Sequence, residues 1–208
     1  MQQTSYRDLE WELIAPRDGK KRILNRFDQS IDRTKGTEWR HPYPWEVYGL
    51  LNDGFNGKLA ERFTYVFEDF KNKCYGEWFN LAFYKKGNIL VTYLDPEGII
   101  YDGKKYNISG EFKYSEKREF DIGDKKPYYI YDLSTFKEDF IKFIHGCPLT
   151  EIHTEIKDSI FVPPEDSIWP YGRNYRLSYG SYFLWGCPPD FHWTSRLVSK
   201  INTTGEKR

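Results

Sequence analysis

The feature that most constrains the fold is a change of apolar period at residue 77. Beyond it, stretches such as "WFNLAFY", "ILVTYL" and "PYYIYDL" are separated by "KKGN", "DPEG", "DGKK" and "GDKK". These separators have turn chemistry, with Gly available for positive φ. Strands joined this closely pair antiparallel, because parallel neighbours need a crossover of about a dozen residues or more. The pattern therefore predicts an antiparallel β-meander over residues 77–133.

Two segments before the meander have helical character. In "HPYPWEVYGLLNDG", Pro44 suits the first helical position and the final "NDG" supplies a stop, which predicts a helix over residues 44–51. A second helix is predicted over residues 57–73, because apolar residues recur there at the spacing of one helical face. These residues are Leu59, Phe63, Val66, Phe67 and Phe70.

A third helix is predicted over residues 134–145. Thr135 and Glu138 fit a capping box, and Gly146 is placed to end the helix, with a proline two residues later. His145 would then lie in the last turn, where a positive charge suits the helix dipole. The apolar face consists of Phe136, Phe140, Phe143 and Ile144.

The remaining segments are less regular. Residues 1–40 are uncertain, with strand-like alternation at Leu9, Trp11 and Leu13 and helix-like spacing further along. Residues 151–162 alternate as a strand does. The Pro-, Gly- and aromatic-rich stretch 163–193 predicts ordered loops, with one strand candidate, "YRLSYGSYFLW" at 175–185. The expected fold class is α+β, a mainly antiparallel β-meander sheet with helices packed on one face, in a single domain spanning 1–208.

Composition narrows the classes of function. The 208 residues include 31 basic and 31 acidic side chains, so no global field draws the chain to nucleic acid or to an acidic membrane. No apolar run is long enough for a membrane span, and the N-terminal stretch lacks the apolar region of a signal peptide. Three cysteines, an odd number, argue against a disulfide framework, so we expect a cytoplasmic protein.

Two similar stretches, "GCPLTEIH" and "GCPPDFHW", raise the question of a metal site. Cys147, His153, Cys187 and His192 are ligand types that bind zinc. However, structural zinc ligands usually come in tighter pairs, and each cysteine is followed by a proline, as in a turn. We therefore expect two turns with free thiols at Cys147 and Cys187, no metal and no cofactor.

The sequence carries no compact catalytic motif. Cys74 lies at the end of the predicted 57–73 helix, where the dipole raises a thiol pKa, so a Cys74–His153 pair is not favoured. Carboxylate pairs such as Glu68 with Asp69 lie on the polar sides of predicted helices. Whether the chain is an enzyme stays open, since active-site residues need not be adjacent in sequence.

The unusual quantity is the 19% aromatic content, which is more than a core of this size needs. Two segments, "HPYPW" at 41–45 and "WPYGRNYRLSYGSYFLW" at 169–185, interleave aromatic residues with Pro and Gly. The stretch 169–176 is expected on a loop, where Trp, Tyr and Arg can form a binding surface. The candidate partner-binding residues are Trp169, Tyr171, Arg173, Tyr175, Arg176, Tyr43 and Trp45.

The leading hypothesis is a small binding or regulatory protein of bacterial or phage type that acts by sequestering a protein partner. It rests on the aromatic excess, the balanced charge and the missing catalytic motif. One alternative is an enzyme on nucleotides, nucleic acid or peptides with dispersed active-site residues. A second alternative is single-stranded nucleic-acid binding, which stacking aromatics and Arg allow.

Overall fold

The chain has an α+β fold in which helices pack on a mainly antiparallel sheet. We describe it from a computed structural model. The structure describes residues 3–12, 26–71, 77–95, 108–114, 118–120, 128–156, 159–162, 168–176, 181–186 and 196–200.

The described strands form a two-stranded and an eight-stranded sheet. The small sheet pairs β1 with β10, and the large sheet has the order β4-β3-β2-β8-β9-β7-β6-β5, with one parallel pair, β7 and β9. The strands are β1 (Leu9–Trp11), β2 (Glu77–Lys86), β3 (Ile89–Leu94), β4 (Gly110–Lys113), β5 (Arg118–Phe120), β6 (Tyr128–Asp132), β7 (Ser159–Val162), β8 (Ile168–Arg176), β9 (Ser181–Gly186) and β10 (Val198–Lys200).

The helices carry the apolar faces that the sequence predicts, within different bounds. They are α1 (Phe27–Asp32), α2 (Pro44–Phe55), α3 (Thr64–Lys71) and α4 (Glu138–His145). Short 3₁₀ turns occur at Tyr6–Asp8, Glu61–Phe63, Leu133–Thr135, Leu149–Glu151 and Thr154–Ile156.

Aromatic side chains join the helices to one face of the large sheet. In α4, Phe140 lies 6.0 Å from Phe83 of β2 and 4.9 Å from Phe112 of β4, measured between ring centroids. In α2, Tyr48 lies 6.0 Å from Phe79 of β2. All five rings are buried, and burial of such large rings contributes much of the free energy that holds helix to sheet.

The meander prediction is correct in that the strands pair antiparallel, but it is wrong in placing all the strands of residues 77–133 side by side. Every described pair within residues 77–133 is antiparallel: β2 with β3, β3 with β4, and β5 with β6. However, β4 and β5 lie at opposite edges of the sheet, with β2, β3, β8, β9, β7 and β6 between them. The cause is a non-local pairing of β2 with β8, which local turn patterns do not encode.

The prediction of loops over 163–193 is corrected, because 168–176 and 181–186 are strands, although the second of these falls largely within the strand candidate at 175–185. Pro170 and Gly172 argued against a central strand, since proline cannot donate to the ladder. The structure accommodates Pro170 where β2 is irregular: the register shifts between Trp78 and Ala82, and Ala82 pairs with Pro170. Within this bulge the Asn80 N–H bonds the Pro42 carbonyl at 2.9 Å instead of β8. Bulges are places where a sheet tolerates proline.

The predicted helix bounds also need correction. Helix α2 continues past its expected end at residue 51, because Phe55 packs on Phe67 and stacks on His153, with centroid distances of 5.2 and 5.3 Å. Gly57, at φ 67°, then turns the chain, and α3 begins only at Thr64 instead of residue 57. Val66, Phe67 and Phe70 form its buried face as predicted, whereas Leu59 lies before the helix and Asp69, expected on the polar side, is buried as well.

Two further local predictions meet different outcomes. The α4 stop at Gly146 is confirmed, with φ 74°, but α4 starts at Glu138 with Lys137 at the N-cap position and without a side-chain capping bond, so the Thr135 capping box is wrong. The strand predicted over 151–162 is confined to β7, and the residues before it form 3₁₀ turns.

Among the described residues, no helix is long and apolar enough to cross a membrane.

Candidate functional site

The predicted binding segment 169–176 lies on β8, inside the sheet. Tyr171 is fully buried, and its ring is 4.2 Å from that of Phe83. Trp169 is half-buried and packs against the core. The side chains of Arg173, Tyr175 and Arg176 lie outside the described part of the chain. Tyr171 therefore contributes to the core, and the backbone of this segment forms ladder bonds with β2 and β9.

The second predicted pair, Tyr43 and Trp45, lies where α2 begins. The two rings stack at 4.7 Å, Arg40 lies 4.1 Å above the Tyr43 ring, and the Tyr43 hydroxyl donates to Asp95 at 3.2 Å. Burial, followed by the negative charge of Asp95, raises the pKa of Tyr43 to about 12. Trp45 is buried and packs edge-on against Phe143 at 5.8 Å. The pair therefore joins the start of α2 to α4 and to Asp95, the residue after β3.

A different set of side chains surrounds an open groove of about 470 Å³. Its walls are β1, Trp39, the 3₁₀ turn before α3, which supplies Arg62 and Phe63, and the first turn of α3, which supplies Tyr65. We call it the Trp39–Tyr65 groove. Tyr65 is 49% exposed, and Trp39 is half-buried. Large aromatic side chains left partly exposed around a concavity are typical of interaction sites.

Local packing explains how the groove is built. Phe63 is buried edge-on against Tyr6 at 5.2 Å, which fixes the 3₁₀ turn before α3. Arg62, next to it, lies 4.7 Å above the Phe63 ring and donates a hydrogen bond to the Arg7 carbonyl. A guanidinium held over a ring in this way extends the flat wall of the groove.

Sequence reasoning missed these residues, although one signal was present. Tyr65 is the aromatic residue of the α3 segment that falls off the apolar face of Phe63, Val66, Phe67 and Phe70. An aromatic residue on the polar face of an amphipathic helix is left at the surface. Trp39 had no such signal, because no periodic pattern runs through residues 33–40.

A second, more polar pocket of about 380 Å³ lies between the N-terminal turn, α2 and the end of α4. On one wall, the Tyr6 hydroxyl donates to Asp53 at 2.7 Å and the Arg7 guanidinium donates to the same oxygen at 2.8 Å. Burial, followed by the hydrogen bond to Asp53, raises the pKa of Tyr6 to about 12. His145 and Cys147 line the other wall.

The protonation states in this pocket differ from those of a thiol catalyst. Burial, followed by the negative charges of Glu151 and Asp53, raises the pKa of Cys147 to about 11, so the thiol is protonated at neutral pH. Burial lowers the pKa of His145 from 6.5 to about 3, so the imidazole is neutral. This corrects the expectation of a helpful positive charge at the end of α4. A thiol nucleophile needs the opposite arrangement, a thiolate beside a basic or charged imidazole.

Only part of the suspected metal set can be placed. Cys147 is a half-buried free thiol, and His153 stacks on Phe55 while its Nδ1 accepts a hydrogen bond from the Glu155 N–H at 3.2 Å. Cys187, His192 and Cys74 lie outside the described residues. Within the part that is described, no three His, Cys, Asp or Glu side chains converge as a metal site requires.

Comparison with known proteins returned no match among protein families, curated proteins or solved structures.

Proposed function

We propose that the chain is a binding or regulatory protein that recognises a partner protein through the Trp39–Tyr65 groove. The observation that supports this is the half-exposed Tyr65 ring beside Trp39 and Arg62 around one concavity. Trp, Tyr and Arg are the residues most enriched in interface hot spots, because they bring large contact area at low entropic cost. We thus propose the aromatic and Arg surface expected from the sequence on different residues.

We further propose that the protein acts in a bacterial or phage-infected cytoplasm. The odd number of cysteines and the free thiol at Cys147 support a reducing compartment. The enzyme and nucleic-acid alternatives remain as outcomes of the experiment below.

The proposed function can be tested by affinity capture from a host lysate with matched variants. Tyr65→Ala removes the exposed ring of the groove, whereas Ile108→Ala removes a similarly exposed apolar side chain at 52% exposure outside the groove. We expect the parent and Ile108→Ala chains to retain one specific protein, identified by mass spectrometry, and Tyr65→Ala to lose it. Thermal unfolding confirms that both variants are folded.

Equal capture by Tyr65→Ala and by the parent contradicts the proposal. Nucleic acid or a small molecule in place of a protein in the eluate would favour the corresponding alternative.

A further inference from the structure

The Trp39–Tyr65 groove offers two aromatic side chains to an incoming group. Tyr65 is 49% exposed and Trp39 is half-buried, so part of each ring is accessible to solvent. Within the described part of the chain, neither ring stacks on another ring or lies under a cation. Their faces, which carry the negative part of the aromatic quadrupole, are therefore free to contact a cation.

The groove is also lined by one basic and one acidic side chain, and only the basic one has partners. The Arg62 guanidinium lies over the Phe63 ring at 4.7 Å and donates to the Arg7 carbonyl. Glu10 is exposed, and among the described residues no donor or cation bonds its carboxylate. The charge that a bound group can still neutralise is therefore the negative charge of Glu10.

These features favour a positively charged group over the alternatives. A cation is attracted both by the carboxylate and by the ring faces. An anion is repelled by Glu10, and the Arg62 guanidinium that could bind it already has partners. An apolar side chain would cover the rings, but it would also displace water from Glu10 without supplying a hydrogen bond. The groove is therefore best matched by a cationic side chain.

Among the basic side chains, arginine fits this combination best. Its planar guanidinium can stack on an aromatic ring while its N–H groups donate two hydrogen bonds to a carboxylate. The ammonium of lysine is a compact charge that holds its water more strongly and does not stack. The protein itself contains the same arrangement, since Arg40 lies 4.1 Å above the Tyr43 ring and donates two hydrogen bonds to the Glu46 carboxylate.

We propose that the partner protein inserts an arginine side chain into the groove, where its guanidinium stacks on the Tyr65 ring beside Trp39 and pairs with Glu10. This inference rests on the proposed function, because it specifies which residue of the partner the groove recognises. The groove, at about 470 Å³, falls within the range of about 300–1,000 Å³ that is typical of ligand sites, so it has room for one such side chain.

The probe is a blocked pentapeptide with the sequence Gly-Ser-Arg-Ser-Gly, titrated into the ¹⁵N-labelled chain at low salt. We expect saturable shifts of the Trp39 indole N–H and of the Tyr65 amide. The same peptide with citrulline, which has the shape of arginine without its charge, should bind roughly fivefold more weakly or worse. The peptide with lysine should also bind more weakly, because an ammonium cannot stack and pair at once.

Variants of the chain separate the charge from the ring. Glu10→Gln removes the charge, and Tyr65→Leu removes the ring while keeping an apolar side chain, so each should weaken binding of the arginine peptide roughly fivefold or more. Tyr65→Phe keeps the ring and should bind like the parent. The matched control is Glu61→Gln, which neutralises an exposed carboxylate beside Arg62 in the chain but outside the groove lining. It should not change the affinity, and thermal unfolding shows that all four variants are folded.

The inference is overturned if the arginine peptide causes no saturable shift, if the citrulline or lysine peptide binds as tightly, or if either Glu10→Gln or Tyr65→Leu binds like the parent. Self-association of the chain that is lost in Tyr65→Leu, measured by sedimentation, would assign the groove to a second copy and also overturn it. Loss of the captured partner in Tyr65→Ala without these peptide effects leaves the proposed function standing and removes only the arginine. Peptide binding with unchanged capture by Tyr65→Ala refutes the proposed function instead.

Discussion

Arg40 forms a bidentate ion pair with Glu46, with N–O distances of 2.9 and 2.6 Å, and the Glu46 side chain is fully buried. The other role of Glu46 is to accept a hydrogen bond from the Tyr43 N–H at 2.9 Å, at the start of α2. Burial raises the pKa of Glu46, and the hydrogen bonds and charge of Arg40 oppose this effect. The pair therefore keeps a charged helix cap inside the protein.

We predict that Arg40→Met lowers the free energy of unfolding by about 3 kcal/mol or more, because a buried carboxylate loses its cation. Adding Glu46→Gln should restore part of this loss, since the amide oxygen can still accept from the Tyr43 N–H without a buried charge. Urea denaturation measures both. A matched control is Lys35→Met, which removes an exposed pair with Asp32 and should cost less than about 1 kcal/mol. A double variant no more stable than Arg40→Met would contradict this reasoning.

Gly54 of α2 lies against the Phe67 ring of α3. A Cβ atom added to Gly54 would lie 2.8 Å from the Phe67 Cγ. Alanine normally stabilises a helix interior relative to glycine by about 1 kcal/mol. Here we predict that Gly54→Ala destabilises by about 1–2 kcal/mol, because the contact forces α2 and α3 apart. Gly49→Ala in the same helix, at 3.4 Å from Tyr6, should be neutral or stabilising.

Thermal unfolding of the single variants and of Gly54→Ala/Phe67→Leu provides the measurement. The double variant should lose less than the sum of the two single losses, since the smaller side chain makes room for the methyl group. Simple additivity would show that Phe67 is not what excludes a side chain at residue 54.

Local patterns predicted the parts of the fold that are decided locally. The α4 face around Phe140 and the stop at Gly146 follow from apolar spacing and from the left-handed conformation that glycine adopts readily. The insertion of β8 beside β2 depends on a pairing between residues almost a hundred positions apart, and Pro170 and Gly172 argued against it. The bulge between Trp78 and Ala82, which makes room for Pro170, has no signature in the local sequence.

The candidate groove was less predictable than the fold. Aromatic content indicated a binding surface, but it did not distinguish exposed rings from buried ones. Tyr171 and Trp45 are buried by the sheet and by α4, whereas Tyr65 is exposed because it falls between the core positions of α3.

Arg196 is fully buried and connects several elements at once. Its guanidinium donates to Asp69 of α3, to Glu77 of β2 at 3.3 Å and to the Glu12 carbonyl at 2.8 Å. We predict that Arg196→Met lowers the free energy of unfolding by about 3–5 kcal/mol, because two buried carboxylates lose this cation. Arg196→Lys should not restore stability, since one ammonium lacks the planar fork that reaches all three acceptors.

Guanidinium-induced unfolding tests this, with Arg33→Met as the control. Arg33 is 39% exposed and pairs with Glu12 at 2.6 Å, so its loss should cost about 1 kcal/mol or less. A loss at Arg196→Met no larger than that of the control would show that the buried cation is not required.

Two buried histidines should make the fold sensitive to acid. Burial lowers the pKa of both His41 and His145 from 6.5 to about 3, with the charges of Arg33 and Arg40 adding to the effect at His41. Below pH 6.5 the unfolded chain therefore binds protons that the folded chain does not. The free energy of unfolding should fall as the pH decreases from about 6.5 toward 3. The slope is up to about 1.4 kcal/mol per pH unit for each histidine. In His41→Phe and His145→Phe, urea midpoints measured from pH 7.5 to pH 4.5 should fall less steeply than in the parent, because phenylalanine can occupy each buried aromatic site without titrating. Slopes equal to that of the parent in both variants would show that these histidines do not cause the acid sensitivity.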